Sequence, residues 1–81
     1  MTGSQIRAAR ALLGWSVREL AHRSVVSIAR VHLFEDAEGF PSTAMGHLTA
    51  IQATFEAAGV EFTNRNEPGV KLRARGKKAE R

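Results

Sequence analysis

The three histidines of the 81-residue chain are the first candidates for chemistry, because an imidazole can bind a metal or transfer a proton. They lie at positions 22, 32 and 47, without a cysteine or a close carboxylate partner at metal-ligand spacing. The absence of cysteine excludes thiol catalysis and disulfides and favours a reducing compartment. Neither a nucleophile elbow nor a glycine-rich phosphate loop occurs. We therefore expect a protein that is not an enzyme, with no catalytic residue, metal, cofactor or small-molecule ligand.

Residues 27–33 instead combine one arginine and one histidine with small apolar side chains. In a helix, Val31 and Phe34 would face the interior, which leaves Arg30 and His32 on the flanks of an outward face. That outward face is unusually apolar for a surface that meets water alone. In the major groove of DNA, by contrast, arginine donates to guanine N7 and O6 while small apolar groups pack on thymine methyls. The candidates for base contacts are Ser27, Ile28, Ala29, Arg30, His32 and Leu33.

A first helix is predicted over about residues 3–13. Thr2 and Gln5 have the spacing of a capping box, in which each side chain bonds the backbone of the other residue. Apolar residues then recur at helical intervals. Gly14 ends the pattern, because glycine adopts the left-handed C-cap conformation without strain.

Two short helices follow, separated by about three residues. Ser16 with Glu19 has the spacing of a second capping box, and Ser27 is a third N-cap candidate. The predicted helices span about residues 17–23 and 28–36. Two helices joined in this way form a helix-turn-helix, whose first helix braces against phosphates while the second lies in the major groove.

A longer helix and then an alternating pattern complete the chain. An apolar stripe from Met45 to Ala58 predicts a fourth helix over about residues 43–58, ended by Gly59. Apolar and polar residues then alternate on both sides of a turn-rich segment, which predicts a β-hairpin over residues 60–73. Its apolar face comprises Val60, Phe62, Val70 and Leu72. A two-stranded ribbon is marginal in water, so either the fourth helix covers this face or, as we expect, the face takes part in a symmetric dimer.

The net charge of +4 is a property of the C-terminal end. Six of the twelve lysines and arginines lie in the last eleven residues, whereas residues 1–70 hold six arginines and seven acids. We expect residues 74–81 to be a disordered basic tail, which either follows phosphates or is simply a solvated end. No signal peptide or long apolar stretch is evident, so we expect a cytoplasmic protein without membrane contact.

Residues 16–35 resemble the helix-turn-helix of the Cro and phage-repressor family, also called XRE or lambda-repressor-like. The matching pattern is Ser16-x-x-Glu-Leu-Ala followed by Val26-Ser-x-x-x-Val-x-x-Phe-Glu. The run from Arg7 to Ser16 is similar to the first helix of a bacterial branch, in which a Gly-Val-Glu-Phe segment like residues 59–62 follows the last helix. The resemblance covers about residues 4–73. Sequence pattern and resemblance together predict a mainly α fold, with a compact four-helix helix-turn-helix domain over residues 1–59 and a C-terminal two-stranded β element.

The resemblance also implies roles outside the recognition helix. Phosphate contacts are implied for Ser16, Val17 and Arg18 and for Ser42 and Thr43. Arg10 and Glu35 match a partly buried ion pair that ties the first helix to the third. Val25 stands where the family usually has glycine, so either the turn is altered or its backbone is strained. Ile28, Ala29 and Leu33 replace the amide and basic side chains that are common on the recognition face.

These patterns predict sequence-specific binding of double-stranded DNA by a homodimer that regulates transcription at an inverted-repeat operator, most simply as a repressor. The alternative is a protein-interaction module, such as an antitoxin or an antiactivator, that turns the third helix towards a protein partner.

Overall fold

The computed structural model of the protein describes residues 1–37, 39–40, 42–63 and 69–73. Its elements are α1 (Gly3–Leu13), α2 (Val17–Ser24), α3 (Ile28–Asp36), a 3₁₀ turn (Ser42–Ala44), α4 (Met45–Ala57), β1 (Val60–Thr63) and β2 (Gly69–Leu72). The predicted fold class, mainly α with four helices and a C-terminal two-stranded sheet, is confirmed. The expected hairpin loop and the expected basic tail at residues 74–81 lie outside the described residues. Within the described ranges, no helix has both the length and the apolar character needed to span a membrane.

Local hydrogen bonds set the starts of the first three helices and the end of α1, as the sequence predicts. Thr2 Oγ1 accepts from the Gln5 amide at 3.1 Å, and Gln5 Oε1 accepts from the Thr2 amide at 2.8 Å, so the capping box closes. Ser16 and Ser27 cap α2 and α3 through their hydroxyl oxygens. Gly14 ends α1 with a left-handed backbone at φ 71°.

The start of α4 differs from the prediction. Residues 42–44 form a 3₁₀ turn, and Ala44 precedes α4 without a side-chain capping bond. Met45, expected to begin the buried stripe, is 62% exposed, whereas Ile51 and Phe55 are fully buried. Along a helix, Met45 points roughly 100° away from the direction that Ile51 and Phe55 share. Leu48 is partly buried against the core cluster, so the stripe faces the core from Leu48 onward but not at Met45.

The core takes residues from all four helices and from β1. Its largest fully buried side chains are Ile6, Leu20, Val31, Ile51, Phe55 and Val60. Each of these contributes about 1.5–3 kcal/mol of stabilisation by leaving water. Trp15, at the junction of α1 and α2, is partly buried and stacks on Phe55 with 5.7 Å between ring centroids. This shared core fixes α3 against the helices that precede it.

The hairpin closes over this core within the same chain. β1 and β2 are antiparallel, with Val60 opposite Leu72 and Phe62 opposite Val70. Phe62 meets Phe55 edge to face at 6.0 Å between ring centroids, and Val70 packs against the buried cluster. Val60 is fully buried, so its assignment to a dimer interface is wrong: its own chain already surrounds it. Of the four residues expected at that interface, Leu72, at 45% exposure, is the most open.

Gln5 anchors the hairpin to α1. Its Nε2 donates to the carbonyl oxygens of Thr63, at 3.1 Å, and Gly69, at 2.9 Å, which occupy facing positions on the two strands. The side chain is only 2% exposed, so these bonds satisfy an amide that water cannot reach. One residue thus both caps α1 and fixes the loop end of the hairpin. The spacing of residues 2–5 predicted only the first of these roles.

Candidate nucleic-acid interface

A three-residue turn, Val25–Ser27, joins α2 to α3. Val25 adopts φ 58° and ψ 42°, and no other non-glycine residue in the described part of the chain has a positive φ. This left-handed conformation costs an L-residue roughly 1–2 kcal/mol, and β-branched side chains tolerate it poorly. The Val25 side chain is 90% exposed, so packing does not offset the cost. Of the two alternatives that the sequence left open, the backbone is strained.

The outward side of α3 presents the residues that the sequence assigned to it. We call Ile28, Ala29, Arg30, His32 and Leu33 the outer face of α3, and all five are exposed. Leu33 is 67% and Ile28 39% exposed, so two large apolar side chains meet water on this face. The opposite side of the helix is buried. The predicted phase of α3 is therefore correct.

Ser27, which precedes the outer face of α3, also has a structural role. Its Oγ accepts from the Arg30 amide at 3.1 Å and so caps α3. Ser27 is itself exposed, and its hydroxyl proton remains available as a donor. Any contact that Ser27 makes with a ligand is therefore shared with its role as a cap.

The buried side of α3 carries the ion pair that the family resemblance implied. Arg10 Nε lies 2.7 Å from Glu35 Oε2 and its Nη2 lies 3.0 Å from Oε1, a bidentate arrangement. A third guanidinium nitrogen donates to the carbonyl oxygen of Trp15 at 3.0 Å. The hydrogen bond to Glu35 raises the pKa of the Arg10 guanidinium above its ordinary value, although burial opposes this. Arg10 thus joins α1, the junction before α2, and the C-terminal half of α3.

The N-terminal half of α1 also holds the end of α3. Arg7 Nη1 donates to the Glu35 carbonyl oxygen at 2.7 Å, which satisfies one of the acceptors left free at a helix end. Gly3 packs so closely that a Cβ there would lie 2.6 Å from the carbonyl oxygens of Phe34 and Glu35. Sequence reasoning missed both contacts, since no local pattern relates residues so far apart in the chain. These two contacts fix the orientation of α3 relative to α1.

The arginines of the helix-turn-helix divide into engaged and unengaged groups. Arg23 pairs with Glu19, and its guanidinium carbon lies 4.6 Å from the centre of the Trp15 ring. The Glu19 carboxylate is thereby used in an ion pair, and Ser16 caps α2 with its hydroxyl alone. Among the described residues, Arg18 and Arg30 have no ion-pair or side-chain hydrogen-bond partner. These two cations are available to an external ligand.

The residues expected to contact phosphates lie at two separate helix starts. At the start of α2, Arg18 is exposed, whereas the Val17 side chain packs against the core and offers only its backbone amide. The first-turn amides of Val17 and Arg18 lack intrahelical acceptors, as in any helix. Ser42 and Thr43 are exposed in the 3₁₀ turn before α4. Each start offers donors, with a free cation only at α2.

Among the described residues, no group of three or more histidine, cysteine or acidic side chains could hold a metal ion. No protein-family model and no curated protein matches the chain significantly. The resemblance to the XRE family rests on the motif residues.

Proposed function

We propose that the protein is an XRE-type transcriptional regulator, which binds double-stranded DNA sequence-specifically as a homodimer and represses by occupying an inverted-repeat operator. In this proposal, α3 lies in the major groove and α2 braces against the backbone. Repression of this kind needs no effector domain, because the bound protein excludes other proteins from the promoter.

The observation that carries the proposal is the outer face of α3. Arg30 stands there without a partner among the described residues, beside exposed apolar side chains, on a helix whose opposite side is held by the Arg10–Glu35 pair. A free arginine on a rigid helix is suited to a bidentate contact with guanine O6 and N7. The clamp fixes the direction of the helix, which base readout requires.

The start of α2 supports the same proposal. A helix N-terminus with free amides and an unpaired Arg18 attracts a phosphate, and such contacts set register without reading sequence. Ser42 and Thr43 supply hydroxyl donors for a second phosphate contact. The basic residues after position 73 add charge that a polyanion would attract.

We expect a homodimer because the surface with which one subunit contacts bases is small. One recognition helix contacts few bases, so two helices about 34 Å apart on a two-fold axis would read an inverted repeat. Leu72 and the unpaired edges of the β1–β2 ribbon are the surfaces through which we propose that the subunits meet. Light scattering at micromolar concentration measures the mass, and a monomer would contradict the dimer.

Binding to DNA tests the function directly. The protein is used to select duplexes from a random pool, and anisotropy then measures affinity for the selected sequence in the presence of competitor DNA. We expect enrichment of an inverted repeat. Affinity should fall steeply between about 50 and 200 mM salt, because counterions return to the phosphates. Failure to enrich any sequence at low salt would contradict the proposal.

The competing function is a protein-interaction module such as an antitoxin or antiactivator. The observation in its favour is the 67% exposure of Leu33, since an apolar side chain can equally well meet a protein partner. In that case no duplex is enriched and salt has little effect on complex formation, because apolar contacts dominate.

A further inference from the structure

We propose that the outer face of α3 reads thymine methyl groups, so that each operator half-site presents thymine C5-methyls to Ile28, Ala29 and Leu33. This inference rests on the proposed function and adds the chemical class of base edge that the site recognises.

The distribution of exposed apolar side chains is the first argument. Six large hydrophobic residues in the described part of the chain are 39% exposed or more: Leu12, Val25, Ile28, Leu33, Met45 and Leu72. Three of these lie within residues 25–33. Ala29 and Leu33 are neighbours along the helix, because residues four apart share one side. The outer face therefore has an apolar surface rather than one isolated exposed side chain.

The chemistry of base edges is the second argument. In the major groove, cytosine and adenine present amino donors and guanine presents two acceptors, whereas thymine alone adds an apolar methyl. An aliphatic side chain over an amino group would leave that group without a partner, which costs free energy. The polar groups of this face are Arg30, His32, the capped Ser27 and, at its C-terminal end, Asp36. The apolar part of its reading surface, formed by Ile28, Ala29 and Leu33, can therefore favour only thymine.

The charge around the apolar residues is the third argument, and it favours DNA over a protein partner. The outer face of α3 meets a single exposed acid, Asp36, which lies at the C-terminal end of the helix on the same side as His32 and Leu33, whereas Glu35 is buried in its ion pair. Among the described residues, the guanidinium of Arg30, at the flank of the apolar surface, and that of Arg18, on the preceding helix, are unpaired. An apolar strip beside two free cations and one terminal acid complements methyl groups inside a groove walled by phosphates.

Replacement of thymine by deoxyuridine tests the proposal, because it removes the methyl and keeps the base pair. The operator selected from random duplexes is synthesised with deoxyuridine at the thymines of both half-sites. Each methyl that the protein buries contributes about fourfold to affinity. We expect the wild-type protein to bind the deoxyuridine operator at least tenfold more weakly. Equal affinity for the two operators would overturn the inference and leave the proposed function intact.

Variants separate methyl contact from altered DNA shape. Leu33→Ala should weaken binding to the thymine operator several-fold and have much less effect on the deoxyuridine operator, since the contact is already missing there. Arg30→Ala should weaken binding to both operators by the same factor. Leu12→Ala, which truncates an exposed leucine of α1, serves as the matched control and should change neither affinity. If Leu33→Ala and Ile28→Ala both leave the thymine-to-deoxyuridine ratio unchanged, the methyls act through DNA shape and the inference fails. If selection yields no duplex, the proposed function and this inference fail together.

Discussion

The two sides of α3 differ in how their side chains are held. On the inner side, Val31 and Phe34 enter the core and Glu35 is fixed by two hydrogen bonds from Arg10. On the outer side, Leu33 is 67% exposed and Arg30 has no partner among the described residues. Nine consecutive residues thus combine side chains that are fixed in the core with side chains that meet water.

This difference separates stability from recognition on a single helix. Substitutions on the inner side should change the free energy of unfolding, and those on the outer side should change the free energy of binding. Four substitutions test whether stability and recognition are divided between the two sides of α3 in this way.

The largest effect is expected for Glu35→Ala. It removes the partner of Arg10 and leaves a largely buried guanidinium uncompensated, which costs about 3 kcal/mol. In a domain of this size the melting temperature should fall by more than about 10 °C. Calorimetry or circular dichroism measures the change. Asp36→Ala, which removes the neighbouring exposed acid, is the matched control and should stay within about 0.5 kcal/mol of wild type.

Arg30→Ala is the corresponding test of the outer side. It should leave the melting temperature unchanged and weaken specific DNA binding by about 1–3 kcal/mol, because one bidentate base contact is lost. The loss should be concentrated at one base step of the operator, which a panel of single-base variants would reveal. Equal weakening on every sequence would reassign Arg30 to a phosphate.

Val25 differs from the other exposed residues, because its substitution should change the free energy of unfolding although its side chain meets water. Val25→Gly should raise the free energy of unfolding by about 0.5–1 kcal/mol, because relief of the left-handed strain exceeds the entropy lost with glycine. Gly14→Val is the reverse change at the other left-handed helix end and should lower the free energy of unfolding by about 1–2 kcal/mol. A Cβ at Gly14 would meet no heavy atom within 4 Å beyond its local backbone, so this change tests mainly the backbone conformation. Denaturant titration of both variants would show whether the changes have opposite sign.

The smallest effect is expected for Leu33→Ala on stability. A side chain that is 67% exposed contributes little to folding, so the change should stay within about 0.5 kcal/mol. A fall of several degrees in melting temperature would mean that Leu33 packs against the protein, and the division between the two sides of α3 would then be wrong.

The features that could be predicted from sequence are those set by neighbouring residues. The capping box of Thr2 and Gln5, the stop at Gly14 and the orientation of α3 each depend on residues within about one or two helical turns. The start of α4 is less predictable, because a 3₁₀ turn without a side-chain cap leaves no signal.

Long-range contacts account for most of what sequence reasoning missed. The approach of Gly3 to the end of α3 and the bond from Arg7 to Glu35 depend on tertiary packing. Val60 was misassigned for the same reason, since an alternating pattern shows that a strand has an apolar face but not which surface covers it. At the site, the motif predicted which residues face outward, but sequence reasoning missed the engagement of Arg23, although its i,i+4 spacing from Glu19 signals an ion pair that Arg18 cannot form.

The bonds made by Gln5 have a consequence for biosynthesis. The acceptors at Thr63 and Gly69 lie 58 and 64 residues after Gln5, so synthesis must pass residue 69 before the anchor can form completely. At about 5–20 residues per second, α1 waits for seconds after its own synthesis before it meets β2. A nascent chain stalled before residue 69 therefore cannot close α1 against β2.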